Sequence, residues 1–327
     1  MANVLVLGGA GFIGFHLALR LADEGHALTL VDDLSRGRSD AAVAALCARP
    51  GVRLLEADLT APGALAALPR RWDQVYMLAA VVGVRNVERD PARVLRTNTL
   101  ALQALLDWLP GEGETLFFAS TSEVYAGSVA MGLVPVPTPE TVAVAFPDAS
   151  AVRASYAISK LTGEAMVTHA GRARGLRCVI GRYHNVYGPR MGRDHVIPEL
   201  ALRAIRREDP FRLYGATQRR AFCHVSDAVE ATVRLVGAER AAGQVVNIGN
   251  DAEETVIEDL ASVITRRAGY RPALDRVAAP AGSPDRRCPD LGRLRELTGF
   301  TPKVSLEAGV AETYDWYRAW HEREGAR

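Results

Sequence analysis

The sequence predicts an α/β fold with a doubly wound parallel sheet, and two observations support this prediction. Short apolar runs of strand length recur as far as Arg182, and segments with apolar residues at helical spacing separate them. Strands that alternate with helices need crossover connections, which are right-handed and produce a parallel sheet with helices on both faces. Beyond Arg182 the alternation loosens, so we expect a smaller C-terminal lobe.

The predicted elements of the first lobe follow this alternation. Its strands are expected at residues 3–7, 27–31, 52–55, 74–78, 115–119 and 176–182, and its helices at 15–24, 41–48, 92–109 and 156–174. In the rest of the chain, prolines at 189, 198 and 210 interrupt the pattern, and shorter elements are expected at 245–248, 256–268 and 306–318. We therefore predict two interleaved lobes, 1–183 and 184–327.

Composition and charge exclude several classes of protein. The chain has 327 residues, 48% of them hydrophobic, which is enough for one large or two modest domains. The net charge is +1 and charges are spread along the chain, so we expect neither nucleic-acid nor membrane binding. The four cysteines form no C-x-x-C pair, the histidines show no zinc spacing, and the N-terminus does not resemble a signal peptide. These features predict a cytoplasmic protein without a metal.

The first predicted strand runs into a glycine-rich turn, in the sequence "LVLGGAGFIGFHLALRL". Gly8 permits the tight turn, Gly11 allows the backbone to approach a pyrophosphate, and Gly14 allows the next helix to pack closely on the strand. The N-terminus of that helix offers N–H donors and the positive end of a dipole. Because a strand precedes the turn and a helix follows it, the motif predicts a Rossmann site for a dinucleotide.

Two carboxylates indicate which dinucleotide binds. Asp32 follows the second predicted strand, where a carboxylate accepts the ribose hydroxyls of NAD and repels the 2′-phosphate of NADP. Arg36 and Arg38 lie nearby and are compatible with NADP or with solvated loop charges. Asp58, after the third strand, is placed either to reach the adenine amino group or to cap a helix. We predict NAD.

A second motif, "SYAISK", supplies a base. Tyr156 and Lys160 are four residues apart and therefore share one face of a helix. A lysine ammonium and the positive nicotinamide ring of NAD⁺ lower the pKa of the tyrosine, which can then remove a proton from a sugar hydroxyl while hydride leaves the same carbon. The fifth predicted strand ends in polar residues that are poor core material, in "FFASTSEVYAG". Since ligands bind at the carboxyl ends of open parallel sheets, these residues are assigned to the same site.

These motifs together resemble the extended short-chain dehydrogenase/reductases that act on nucleotide sugars, the NAD-dependent epimerase/dehydratase group. The resemblance covers nearly the whole chain. It rests on "GGAGFIG", "VDDLSRG", "ADLT", "LAA" at 78–80, "TNTLAL", "STSEVYAG", "YAISK", "RYHNVYGPRM", "HVIPEL", "QRRAFCHVSDAVEA", "VVNIGN" and "DRRCPDLGRLRELTGFTP".

The resemblance implies roles for individual residues. For NAD it implies contacts with Gly8, Gly11, Phe12, Ile13, Gly14, Asp32, Asp58, Leu59, Leu78, Ala79, Ala80, Asn98, Tyr156 and Lys160. For catalysis it implies Thr121, Ser122, Glu123, Tyr156 and Lys160, with the Thr121 hydroxyl bonded to the reacting sugar oxygen. For the nucleotide sugar, in the smaller C-terminal substrate-binding lobe, it implies Asn185 at the diphosphate, Arg220 and Arg287 at the diphosphate or the nucleotide ribose, and Val196, Ile197 and Pro198 at the base.

The resemblance also implies the reaction class, in which NAD⁺ transiently oxidises C4 of an NDP-hexose. The Thr-Ser-Glu sequence resembles GDP-mannose 4,6-dehydratases and UDP-glucuronate decarboxylases. We therefore rank C5–C6 chemistry, either 4,6-dehydration or uronate decarboxylation, above NDP-sugar 4-epimerisation. A non-catalytic Rossmann sensor or scaffold is disfavoured because the tyrosine, lysine and hydroxyl are all present. The shortened turn "GATQ" and the long apolar loop 126–155 leave the sugar open.

A homodimer is predicted from the same resemblance, in which relatives pair through two helices. Here those helices are the predicted segments 92–109 and 156–174. The first carries more apolar residues than one stripe facing its own sheet needs. They are Val94, Leu95, Leu102, Leu105, Leu106 and Leu109. The alternative is that all of them are buried within one subunit.

Overall fold

The computed structural model describes residues 1–37, 39–111, 113–279 and 283–325. The first part of the chain contains β1 (Asn3–Leu7), α1 (Phe12–Asp23), β2 (Ala27–Asp32), α2 (Ala41–Cys47), β3 (Val52–Glu56), β4 (Gln74–Met77), α3 (Val84–Arg89), α4 (Pro91–Trp108), β5 (Thr115–Thr121), a 3₁₀ turn (Ser122–Tyr125), α5 (Ala126–Ala130), α6 (Ala154–Arg174) and β6 (Arg177–Tyr183). The second part contains β7 (Val186–Tyr187), α7 (Val196–Ile205), β8 (Phe211–Tyr214), β9 (Arg219–Ala221), β10 (Cys223–His224), α8 (Val225–Gly237), a 3₁₀ turn (Glu239–Ala241), β11 (Val245–Ile248), β12 (Glu254–Val256), α9 (Ile257–Arg267), β13 (Leu274–Val277), β14 (Arg286–Arg287), α10 (Gly292–Thr298) and α11 (Leu306–Gly325).

The central sheet has seven parallel strands in the order β11-β6-β5-β4-β1-β2-β3. The chain winds outward from β1 in both directions, so the strand order reverses between β1 and β4. A parallel sheet opens a crevice at the carboxyl ends of its strands at such a reversal, and ligands bind there. The predicted doubly wound α/β fold is confirmed.

Side chains of the sheet alternate between two cores, one on each face. In β1, Val6 lies in a core cluster with Leu17 of α1, whereas Leu5 lies in the other cluster with Leu105 of α4. All four side chains are fully buried. Because both faces are covered, the strands read as continuous apolar runs rather than as alternating ones.

The ends of two predicted elements lie elsewhere, and both differences affect the site. Strand β5 continues to Thr121 instead of ending at residue 119, because Ser120 and Thr121 pair with Arg182 and Tyr183 of β6. The hydroxyl-bearing residues are therefore part of the rigid sheet. Helix α1 begins at Phe12 rather than at residue 15, immediately after the glycine turn.

The second part of the chain contributes to both lobes. Strand β11 pairs with β6 and forms the edge of the central sheet, and helix α8 packs on α1. A separate core joins α7, α9 and α11 around Ile197, Leu260 and Val310. The division at residue 183 therefore stays a prediction, with the interleaved arrangement visible in β11.

The apolar residues that motivated a dimer are mostly used inside the subunit. Of the six named on α4 and at its end, Val94, Leu102, Leu105, Leu106 and Leu109 are buried, and only Leu95 is exposed, at 36%. Leu102, Leu105, Leu106 and Leu109 pack in the core between α4, α6 and the sheet. The excess apolar surface expected from the sequence is thus small. Within the described ranges, no helix has the length and apolarity needed to cross a bilayer.

Candidate active site

The glycine turn between β1 and α1 brings helix and strand into close contact. Gly8 has a left-handed backbone, with φ of 85°, and its N–H donates to the Val31 carbonyl at 2.7 Å. A Cβ on Gly14 would lie 2.0 Å from the Gly8 carbonyl oxygen, so no larger residue fits without moving the helix. The N-terminus of α1 consequently lies against the end of β1, in the arrangement that holds a pyrophosphate.

A cavity of about 830 Å³ opens at the carboxyl ends of the central strands and is lined by residues of both lobes. The predicted cofactor residues on its wall are Gly8, Gly11, Phe12, Ile13, Gly14, Asp32, Asp58, Leu59, Leu78, Ala79, Ala80, Tyr156 and Lys160. The predicted catalytic residues Thr121, Ser122 and Glu123 line it too, as do Asn185, Arg220 and Arg287. The topology therefore gathers into one space residues that are up to 279 positions apart, from Gly8 to Arg287.

Asn98 lies outside the cavity wall. Its side-chain oxygen accepts from Val81 N–H at 2.7 Å, and its Nδ2 donates to Ser159 Oγ at 3.0 Å. It thus ties the loop after β4 to the helix that carries Tyr156. This geometry gives Asn98 a supporting position behind the cofactor wall.

Asp32 lies at the end of β2 and is held by two backbone donors. Ala10 N–H donates to one carboxylate oxygen at 3.0 Å and Leu34 N–H to the other at 2.9 Å. Burial raises the pKa of Asp32, against these two hydrogen bonds, which lower it. The carboxylate is therefore fixed beside the glycine turn, where a ribose would lie. Arg38 lies outside the described residues.

One carboxylate oxygen of Asp58 accepts hydrogen bonds from its own turn. Its Oδ1 accepts from the Thr60 N–H at 2.8 Å and from the Thr60 hydroxyl at 2.7 Å, and these bonds lower the pKa of Asp58. In the described segment between β3 and β4 there is no helix, so the helix-cap alternative is wrong: the carboxylate closes a turn and faces the cavity, and its contact with adenine stays a prediction.

We expect Asp32→Ala to weaken NAD binding and to narrow the preference for NAD over NADP. The substitution removes the acceptor for a ribose hydroxyl and the charge that repels a 2′-phosphate. It also frees Ala10 N–H, so Asp32→Asn, which keeps an acceptor without the charge, separates the two effects. Titration of both variants with NAD and NADP by protein fluorescence measures the ratio of dissociation constants. A wild type that binds NADP more tightly than NAD would contradict the assignment.

Tyr156, Lys160 and Thr121 meet at the end of β5. The Thr121 hydroxyl hydrogen-bonds Tyr156, and Lys160 Nζ donates to the Ala119 carbonyl at 2.8 Å. Both helix residues lie on the face of α6 that packs against β5. Tyr156 and Lys160 are therefore positioned by a helix that packs on a strand of the core, which restricts their geometry more than a loop would.

The protein side chains alone raise the pKa of Tyr156 above its ordinary value. Burial raises the pKa of Tyr156, the Glu123 carboxylate raises it further, and the Thr121 hydrogen bond and Arg36 lower it. Lys160, which donates to Ala119 instead, is not among the groups that act on it. A positively charged nicotinamide ring next to the phenol would lower this pKa, so the protein side chains alone do not produce the phenolate.

Glu123 is surrounded by guanidinium groups. Arg287 Nη1 donates to its Oε1 at 2.6 Å, and the Glu123 side chain is 41% exposed within the cavity. Burial works to raise the pKa of Glu123, but Arg287, followed by Arg153 and Arg220, holds that pKa below its ordinary value. The carboxylate is therefore ionised and paired.

Arg220 and Arg287 are neighbours because strands β9 and β14 pair in register. The Arg220 guanidinium is held by Gln218 Oε1 and Ser283 Oγ, each at 3.0 Å. Burial lowers the pKa of Arg220 to about 10, and the positive charge of Arg287 lowers it as well. Arg286 has a different environment, since it binds Glu254 through two hydrogen bonds at the surface. Arg287 is thus the arginine of this pair that faces the cavity.

The residues predicted to pack on the nucleotide base do not line this cavity, and their contact with a base stays a prediction. Ile197 and Pro198 are buried on α7, and Val196 packs against the core of the second lobe. Asn185 does line it, in a left-handed backbone conformation with φ of 41°. Its Nδ2 donates to the Ala221 carbonyl at 2.9 Å, which leaves one amide proton for a ligand.

Two groups of residues in the site were missed from the sequence. Arg153 precedes Tyr156 by three positions, a helical spacing that indicates a shared face.

The second group follows β7 and contacts α1. Arg190 contacts Asp40 and lies over the Phe15 ring at 4.0 Å, while His16 Nε2 donates to the Pro189 carbonyl at 3.0 Å. The segment after β7 is therefore fastened across α1, beside the dinucleotide turn.

Comparison with known proteins agrees with this geometry. The profile of the NAD dependent epimerase/dehydratase family matches residues 4–249, three quarters of the chain. The chain belongs to the NAD-dependent epimerase/dehydratase family. It is thus an NAD-dependent enzyme, and the predicted family, fold and cofactor are confirmed. The glycine turn that an added Cβ would fill, and the cavity beside it, fit NAD.

Individual members of the epimerase/dehydratase family resemble the chain along its whole length. It is 33% identical to a UDP-N-acetyl-alpha-D-glucosaminuronate decarboxylase of Bacillus cytotoxicus, over 96% of this chain and 97% of the relative. It is 30% identical to UDP-glucuronic acid decarboxylase 1 of Xenopus tropicalis, over 97% of this chain and 72% of the relative. A crystal structure of a UDP-galactose 4-epimerase has 29% identity and a TM-score of 0.81, over 97% of this chain and 99% of the other.

Proposed function

We propose that the enzyme oxidises C4 of a UDP-linked uronate, removes its C6 carboxylate as carbon dioxide, and returns the hydride to C4. The observation that carries this proposal is the cluster of Arg220 and Arg287, paired in register on β9 and β14, beside the carboxylate of Glu123. The names of two relatives, both decarboxylases of UDP-linked uronic acids, support the same substrate class.

The charge of this cluster favours an anionic sugar. Arg220 and Arg287 lie beside the Glu123 carboxylate, and their mutual repulsion contributes to the lowered pKa of Arg220. Arginine forks bind phosphate and carboxylate groups through paired hydrogen bonds. A diphosphate at Arg220 and a sugar carboxylate near Arg287 would bring negative charge to these two neighbouring guanidinium groups.

The state of Glu123 favours decarboxylation over 4,6-dehydration. A dehydratase needs a base that takes the C5 proton, and an effective base has a pKa near the working pH and an oxygen within reach of that proton. In this site the pKa of Glu123 is held low and one of its oxygens is bound to Arg287. A 4-keto uronate is a β-keto acid, which loses carbon dioxide without removal of the C5 proton.

The residues of the chain then have separate tasks. NAD, held by the glycine turn and Asp32, would supply the acceptor and later the donor of the C4 hydride. Tyr156 takes the proton of the C4 hydroxyl, and Thr121 hydrogen-bonds the same oxygen. Arg287 holds the C6 carboxylate beside Glu123 until the C5–C6 bond breaks and its electron pair moves toward the C4 oxygen. A proton from solvent then adds to C5, and Tyr156 gives back its proton to the C4 oxygen as C4 is reduced.

The proposal is tested by incubating the enzyme with UDP-glucuronate, UDP-N-acetylglucosaminuronate and UDP-glucose and measuring product masses. We expect a uronate to lose carbon dioxide and UDP-glucose to lose nothing. Loss of water from UDP-glucose would identify a 4,6-dehydratase, and an unchanged mass with an inverted C4 by NMR would identify a 4-epimerase.

In a Glu123→Gln variant, carbon dioxide release should continue at a reduced rate. A stall with bound NADH and an intact carboxylate would assign the decisive proton transfer to Glu123.

For assembly we propose a homodimer that pairs through α4 and α6. Leu95 and Leu100 are exposed on α4, at 36% and 39%, and supply a modest apolar surface. Sedimentation at micromolar concentration should give the mass of two chains. A mass of one chain would refute the dimer and leave the catalytic proposal unaffected.

We further propose a cytoplasmic location, which the cysteines support. All four are free, and Cys178, Cys223 and Cys288 are buried. Proteins of oxidising compartments commonly use such residues in disulfides. Fractionation of the source cells tests the location.

A further inference from the structure

Behind the cavity, α6 continues the Tyr156–Lys160 face with a buried carboxylate. Glu164 follows Lys160 by four residues, as Lys160 follows Tyr156, so the three side chains form one row along the helix. Lys160 is 3% exposed and Glu164 is 5% exposed. A carboxylate and an ammonium are both expensive to bury, and each needs compensation by charge or hydrogen bonds.

Glu164 is held on two sides by residues of the sheet. Arg182 of β6 donates to Oε1 from Nε at 2.8 Å and to Oε2 from Nη2 at 2.6 Å, in a bidentate pair. The Ser120 hydroxyl of β5 also donates to Oε1. Arg182 is itself fixed by its Nη1, which donates to Tyr125 OH at 2.7 Å. The position of the carboxylate is therefore set by two strands rather than by its own helix.

Lys160 has few groups that favour its charged form. Its Nζ donates to the Ala119 carbonyl at 2.8 Å and lies 5.0 Å from the centre of the Phe118 ring. Burial lowers the pKa of Lys160 to about 8, and the Glu164 carboxylate opposes this by raising it. The other titratable groups near this face are Tyr156 on α6, Arg182 on β6, which is paired with Glu164, and Tyr125, which accepts from Arg182.

We propose that Glu164 is a positioning residue that keeps the buried Lys160 protonated and directed at the end of β5. Ser120, which binds Glu164, stands between Ala119, which accepts from Lys160, and Thr121, which bonds Tyr156. The Glu164 carboxylate thus favours the charged form of Lys160 and also binds, through Ser120, the strand that carries the Thr121 hydroxyl. This inference rests on the proton transfer at C4 that the proposed function includes, and it does not depend on decarboxylation.

The composition of the chain allows a direct test. The sequence contains two lysines, Lys160 and Lys303, and Lys303 is exposed. In protein labelled with ¹³Cε-lysine, an NMR titration follows the charge of Lys160 directly and uses Lys303 as an internal reference. The measurement needs no substrate, so its outcome is independent of which sugar is converted.

In Glu164→Gln we expect the Lys160 titration to move down by about one pH unit, with Lys303 unchanged. The direction follows because removal of the carboxylate removes the group that raises this pKa. If activity needs the lysine protonated, the alkaline limb of the kcat–pH profile should move down by the same amount.

A second variant separates this role from simple support of the fold. Glu164→Gln leaves the Arg182 guanidinium buried without its partner and is expected to destabilise the protein. The double variant Glu164→Gln, Arg182→Met removes both charges, so it should fold better than the single variant and should lower the Lys160 titration less, because the positive charge of Arg182 is lost together with the carboxylate. An unchanged Lys160 titration in a folded Glu164→Gln variant would overturn the proposal. So would a wild-type Lys160 that is already neutral at pH 7.

Discussion

Replacing Tyr156 with phenylalanine should abolish turnover while leaving the fold and NAD binding intact. The substitution removes only the oxygen that exchanges a proton with the C4 hydroxyl, and the ring still fills its place against β5. Loss of a general base typically costs about 10²- to 10⁴-fold in rate. Because the hydride cannot leave C4 while its hydroxyl keeps its proton, bound NAD⁺ should also remain oxidised when substrate is added.

The measurement is NADH absorbance after rapid mixing, followed by product mass over hours. Tyr214→Phe is the matched control, since Tyr214 is exposed on β8 and outside the cavity, and it should keep the wild-type rate. A Tyr156→Phe enzyme with near wild-type turnover would mean that another group removes the C4 proton.

Replacing Arg287 with methionine should lower kcat/KM for the uronate by about 10- to 100-fold. A hydrogen bond to a charged group contributes about 1.5–3 kcal/mol, and each 1.4 kcal/mol is about a tenfold change in rate. The loss also leaves Glu123 without its closest positive charge, so an incoming carboxylate would meet repulsion. We place the effect mainly on carbon dioxide release, because C4 oxidation takes place at Tyr156.

The adjacent arginine provides a matched control. Arg286→Met removes the same side chain one position earlier, where it binds Glu254 at the surface, and should change kcat/KM little. Arg287→Lys keeps the charge without the planar fork and should give an intermediate rate. Equal losses in the Arg286 and Arg287 variants would show that the strand, rather than the guanidinium in the cavity, is responsible.

Local patterns were sufficient to predict the fold and the cofactor wall. The strand candidates are continuous apolar runs because both faces of the sheet are buried, and the glycine turn is recognisable because only glycine fits where Gly14 meets the Gly8 carbonyl. Tyr156 and Lys160 were identified from their spacing. Each of these signals is contained in a few consecutive residues.

Predictions about which apolar side chains face a ligand or a partner depended on long-range packing and were less accurate. The apolar side chains of α4 that exceed one stripe are mostly buried within the subunit, because α6 covers a second side of that helix in addition to the side covered by the sheet. Ile197 and Pro198, predicted to contact the nucleotide base, are buried on α7 and do not line the cavity, so that contact stays a prediction. Whether an apolar residue meets a ligand or another helix is decided by its neighbours in space, and periodicity does not identify them.

The sequence by itself determined the doubly wound sheet, the family, NAD as cofactor and the tyrosine–lysine pair, since these follow from short motifs and their order. Only the tertiary structure decided that Glu123 faces Arg287, that Arg287 rather than Arg286 enters the cavity, and that Glu164 lies against Arg182. The reason is physical: charges act over a few ångströms through space, so the pairing of groups 164 positions apart, Glu123 and Arg287, depends on how β14 joins β9 and on where β5 ends.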